Sequence, residues 1–193
     1  MRRPARTWLG TLLAASTLVA LAGCTGGAQE DACDTSTANV IECAPEQRGD
    51  PIKAAGELLD GDRYDLNQDR GQVVVVNFWG SWCAPCVAEA KDLEATYQAT
   101  KANGVRFIGV NVQDMREKAI AFERGRVTYP SLFDPASRVA LAFDPPPNST
   151  PATIILDREG RIAVVLRKPV RQDGLQPLVE RVAAESPPVA GPR

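Results

Sequence analysis

The run Val73-Val74-Val75-Val76-Asn77-Phe78-Trp79 constrains this chain more than any other stretch. Its β-branched and aromatic side chains show no alternation, which is the pattern of a strand buried on both faces of a covered sheet. After three intervening residues comes Cys83-Ala84-Pro85-Cys86. A helical pattern over residues 84–102 starts inside that motif and stops at Asn103-Gly104. The two thiols therefore sit where a strand hands over to a helix. A pair spaced this way closes and reopens a disulfide at little strain, and at such a junction it marks a redox centre. The alternative is a permanent bond, but so short a loop constrains the unfolded chain little.

The remaining elements follow from period and punctuation. Residues 57–66 predict a hairpin turning at Asp60-Gly61. A second buried strand spans 105–111, and an amphipathic helix spans 115–126 with Ala119, Ile120 and Phe122 inward. A short extended piece at 131–133 and a short helix at 135–143 come next. Residues 152–156 and 162–166 form a hairpin through Asp157-Arg158-Glu159-Gly160, and a last helix covers 172–184. This order predicts an α/β fold: a central mixed β-sheet flanked by helices on both faces, with an N-terminal β-hairpin and an inserted helix.

The first residues are a targeting signal. Arg2, Arg3 and Arg6 precede an apolar stretch from Trp8 to Leu21 that is short for a membrane span. The stretch ends in Leu21-Ala22-Gly23-Cys24, which resembles the lipobox of bacterial lipoproteins; cleavage before Cys24 and lipidation of its sulfur are expected. A plain secretory signal that leaves Cys24 a free thiol is the alternative. Cleavage removes three of the 22 basic residues and no acidic one, moving the formal charge from −2 to −5. An acidic body gains nothing from an anionic membrane, so lipid must do the anchoring. The expected division is a signal over 1–23, a flexible tether over 24–51, the folded domain over 52–185 and a loose tail over 186–193.

Histidine is absent. That excludes Ser-His-Asp and Cys-His catalysis, His-ligated metals and a His-ligated haem. The small negative charge points away from nucleic acid. Of the five cysteines, Cys33 and Cys43 lie close enough along the chain to close a structural disulfide outside the cytoplasm. A second exchanging redox pair and a four-cysteine zinc site are the weaker options.

The segment from Val73 to Cys86, with Trp79 and Trp82 flanking the cysteines, together with Thr150-Pro151-Ala152-Thr153-Ile154-Ile155-Leu156-Asp157, resembles the thioredoxin fold. Within it the match is to the TlpA/ResA-like branch of membrane-anchored thiol-disulfide oxidoreductases. The helix at 115–126 fits that branch's insertion. The resemblance implies that Cys83 attacks and Cys86 resolves, that Glu89 is the acid beside the resolving thiol, and that Pro151 is the cis-proline leaving the Thr150 backbone open to a peptide. Trp82 is expected at the rim, in contact with partners. Asn77 stands where thioredoxins proper carry a buried acid. The run Asp144-Pro145-Pro146-Pro147-Asn148-Ser149 departs from the family pattern. No cofactor is implied beyond the Cys83–Cys86 disulfide, and no metal.

The expected function is a disulfide reductase on the extracytoplasmic face of the cell membrane. Its substrates would be protein disulfides, apocytochrome c among them, and a membrane electron carrier of the CcdA/DsbD type would recharge it. A monomer is expected. A disulfide-forming oxidase, a peroxiredoxin-like peroxidase and a non-catalytic binding lipoprotein are the alternatives.

Overall fold

The computed structural model describes residues 33–36 and 39–185. The expected signal at 1–23, Cys24 and the expected tail at 186–193 lie outside the described residues. Among the described residues nine strands form: β1 (Asp34–Ser36), β2 (Val40–Glu42), β3 (Ala55–Glu57), β4 (Arg63–Asp65), β5 (Val73–Trp79), β6 (Val105–Val112), β7 (Ser131–Asp134), β8 (Ala152–Leu156) and β9 (Ile162–Leu166). Three α-helices accompany them: α1 (Ala84–Thr100), α2 (Arg116–Glu123) and α3 (Gln172–Ala183).

Seven strands make one mixed sheet in the order β1-β2-β9-β8-β5-β6-β7. β5, β6 and β7 are parallel, while β8, β9, β2 and β1 join antiparallel. Every residue of β5 is buried, as its unbroken apolar run requires. Its odd positions, Val73 and Val75, pack with Leu93 of α1 and with Leu175, Val179 and Val182 of α3. Its even positions, Val74, Val76 and Phe78, pack with Leu66, Ile108, Leu132 and Phe143 on the other face. That second face is closed by the β3–β4 hairpin and by single 3-10 turns at Leu66–Asp69 and Val139–Ala142.

The expected tether at 24–51 needs correction at its C-terminal end. β2 pairs with β9 through Val40↔Leu166, Ile41↔Val165 and Glu42↔Val164, and Cys43 is buried. A disulfide joins Cys33 to Cys43 and clasps β1 to β2. The Arg48 side chain is enclosed as well; it donates to the Cys43 carbonyl and forms ion pairs with Asp157 at 3.1 Å and Glu185 at 2.5 Å. Burial of Ile41 against the sheet supplies what the polar composition of this segment conceals.

Candidate functional site: a dithiol at a helix N-terminus

β5 delivers the chain to the parallel end of the sheet, where Gly80, Ser81, Trp82 and Cys83 turn it into α1. The turn closes with the Cys83 N–H donating to the Gly80 carbonyl at 3.1 Å. Trp82 folds back over Gly80, where a Cβ would collide with the indole nitrogen. The indole N–H donates to the Val112 carbonyl at 3.3 Å, and Trp82 stays 54% exposed. Trp79 is buried instead, stacked on Phe122 at 4.7 Å and donating to the Ser131 hydroxyl at 3.0 Å.

Cys83 is the N-cap of α1, and Pro85 fits the first turn because it has no N–H to leave unpaired. The Cys86 N–H donates to Cys83 Sγ at 3.3 Å. The helix thus presents its positive end and a hydrogen bond to the sulfur that would carry charge, and both favour a thiolate. Cys83 and Cys86 are bonded to each other.

The pair is more enclosed than the sequence suggests. Cys83 is 3% and Cys86 2% exposed. Leu59, from the β3–β4 loop, and Ala119, from α2, pack with them, and Phe122 and Phe133 close the margin. Leu59 is held there by its N–H, which donates to the Ser131 carbonyl, and by Arg116, whose guanidinium donates to the carbonyls of Leu58 and Leu59. Apolar burial raises a thiol pKa, so it opposes the helix end.

Glu89 lies one turn past Cys86 on α1 and is 2% exposed. Its Oε1 accepts from Asn77 Nδ2 at 3.0 Å and its Oε2 from the Val170 N–H at 2.8 Å. Burial pushes its pKa up to about 7; the two hydrogen bonds pull the other way without cancelling it. Asn77 also donates to Thr153 Oγ1 at 3.1 Å, so the network reaches β8. A small void lined by Asn77, Cys86, Tyr129 and Ser131 lies alongside. The arrangement provides a buried carboxyl that titrates near neutrality next to the inner thiol, as a proton shuttle requires.

The Thr150–Pro151 peptide is cis, as is Asp144–Pro145. Thr150 lines a cleft of about 310 Å³ with Val112, Gln113, Leu141, Pro146 and Asn148. Three residues around this cleft, Gln113, Ser137 and Asn148, hold left-handed backbone at φ of 51°, 55° and 53°. Non-glycine residues take that conformation at some cost, and such positions gather where a surface is shaped for binding. The Cys33–Cys43 bond lies at the opposite edge of the sheet, beyond β9 and β8.

A model of the AhpC/TSA family matches residues 48–165, more than half of the chain. The chain belongs to the AhpC/TSA family. A thiol:disulfide interchange protein DsbE from Allochromatium vinosum is 33% identical over 161 residues, covering 76% of this chain and 86% of that one. A thiol-disulfide oxidoreductase ResA from Geobacillus kaustophilus is 29% identical over 125 residues, covering 64% and 71%. The solved structure of a secreted thiol-disulfide isomerase from Corynebacterium glutamicum superposes with a TM-score of 0.73 at 29% identity, covering 79% of this chain and 96% of that one. This oxidoreductase is therefore of the ResA/DsbE type on a thioredoxin fold, and protein thiols and disulfides are its substrates.

Sequence reasoning singled out the two thiols, Glu89, Trp82 and Pro151, and the fold brings them to one end of the sheet. It missed Asp114, whose carboxylate grips the turn before Cys83. No local pattern announces that residue, because its partner Ser81 lies 33 positions away.

Proposed function

We propose that this protein is a disulfide reductase outside the cytoplasmic membrane, held there by lipid on Cys24. The observation that carries the reading is the Cys83–Cys86 pair at the N-terminus of α1 with the buried Glu89 one turn inward. In the reduced protein the Cys83 thiolate attacks a partner disulfide. A mixed disulfide forms and one partner sulfur leaves as a thiolate. Cys86 loses its proton to Glu89 and attacks Cys83 Sγ, which releases the second partner sulfur. Two electrons pass to the partner, which becomes a dithiol, while Cys83–Cys86 closes. A membrane carrier of the CcdA/DsbD type restores the dithiol.

Apocytochrome c is the proposed substrate class, since its haem-binding cysteines must be reduced before attachment. The partner peptide lies against Thr150, with Pro151 shaping the edge and Trp82 forming the rim. Cleavage before Cys24 leaves the mature protein as a monomer on its anchor.

Four measurements test this. Wild type should reduce insulin disulfides, and Cys83→Ser should not. The potential of the couple should lie near that of thioredoxin, about −270 mV; a value close to about −120 mV would make the protein an oxidase. Cys86→Ser should accumulate mixed disulfides in cells, and mass spectrometry of those adducts names the partners. Labelling with radioactive palmitate should be lost in Cys24→Ser; unchanged labelling would refute the anchor.

A further inference from the structure

The turn that carries Cys83 is gripped from outside its own elements. Its two central residues are Ser81 and Trp82, and both are held by the segment leaving β6. Asp114 Oδ2 accepts from the Ser81 N–H at 2.6 Å, and Oδ1 accepts from the Ser81 hydroxyl at 2.9 Å. The Val112 carbonyl takes the Trp82 indole N–H. Asp114 is fixed in turn: Asn111 Nδ2 donates to it at 2.9 Å and the Met115 N–H at 2.8 Å. Asn111 is completely buried and leaves its own Oδ1 without a partner. A buried orphan acceptor is costly, so a position that tolerates one is kept for what its donor does. Here the donor holds Asp114.

The same corner also sets the cover over the sulfurs. Arg116, two residues on, donates to the carbonyls of Leu58 and Leu59 and lies 4.3 Å over the Phe133 ring. The segment 111–116 thus ties together the turn that bears Cys83 and the loop that packs on it. Burial opposes ionisation of Asp114, but the hydrogen bonds from Asn111, Ser81 and Met115 outweigh it and hold the carboxyl below the usual carboxylate range.

We propose that Asp114 is a positioning residue of the redox turn, and that its fixed negative charge beside Ser81 biases the Cys83–Cys86 couple toward reducing power. A negative charge within one turn of Cys83 disfavours the thiolate, and the form that loses stability is the reduced one. Electrons are then given up more readily. Glu89 acts on the Cys86 side of the pair and Asp114 on the Cys83 side. The inference rests on Cys83 being the attacking thiol.

The test compares Asp114→Asn, Asp114→Ser and Ser81→Ala in the full chain. The Cys83 pKa comes from the pH dependence of iodoacetamide labelling, and the potential from equilibration with glutathione. Asp114→Asn should lower the Cys83 pKa by about one unit and shift the glutathione equilibrium about tenfold toward the dithiol, roughly 30 mV more oxidising. Ser81→Ala keeps the charge and removes one clamp bond; it should slow insulin reduction severalfold with the potential unmoved. A folded Asp114→Asn with pKa and potential equal to wild type overturns the proposal. Should that variant not fold, Asp114→Ser decides: it also removes the charge, so a tenfold shift toward the dithiol upholds the proposal and an unmoved equilibrium overturns it. Failure of the underlying reading looks different, because Cys83→Ser would then retain exchange activity.

Discussion

At Glu89 the consequences of burial can be signed. Its pKa rises from 4.5 to about 7 on folding. A carboxyl raised this way favours the folded state while it is protonated. Its contribution is whole below about pH 4.5, fades as pH climbs and is gone above about pH 7; the span is roughly 3 kcal/mol. Wild type should therefore lose that much stability relative to Glu89→Gln across this window, measured as the difference between two urea titrations at each pH. The rate of disulfide reduction should show an inflection near pH 7 that Glu89→Gln lacks. Gly80 gives a second residue-scale expectation. A methyl there drives the Trp82 indole off its seat, so Gly80→Ala should cost about 1–3 kcal/mol and change the tryptophan emission, with slower exchange.

At the scale of elements, legibility followed burial. β5, β8 and β9 were readable residue by residue because unbroken apolar runs leave few alternatives. The helix expected at 115–126 is shorter, ending at Glu123 before Gly125 takes φ 75°. The helix expected at 135–143 condenses to one 3-10 turn at Val139–Ala142, since Ser137 holds left-handed backbone at φ 55° and breaks the helix before it. β1 and β2 escaped notice because three-residue strands carry too little periodicity; pairing with β9 creates them. The Cys33–Cys43 loop is short, and its closure contributes about 2–3 kcal/mol through the unfolded state. Cys33→Ser with Cys43→Ser should lower Tm by several degrees in a thermal melt while insulin reduction stays at the wild-type rate, because the bond sits at the far edge of the sheet.

For the whole molecule, Arg48 matters more than its place in a polar segment suggests. It links the chain after β2, the β8–β9 turn through Asp157, and the end of α3 through Glu185. The carboxylates and the guanidinium come from positions more than a hundred residues apart, which is why no sequence window displays them. Removing one member of a buried ion pair strands the other. Arg48→Ala should cost about 3 kcal/mol in denaturant unfolding, and Asp157 keeps Arg161 as a partial substitute.

The lid that Leu59 and Ala119 place over the sulfurs has a kinetic meaning. A bare bond on the surface would be spent on whatever small thiol drifted past. A shielded one yields slowly to small thiols and faster to a macromolecule whose shape can push the leucine aside, so sterics contribute to fidelity before any chemistry begins. Shaving that residue to Leu59→Ala should let dithiothreitol open the bond about tenfold faster, and stopped-flow tryptophan fluorescence would show it.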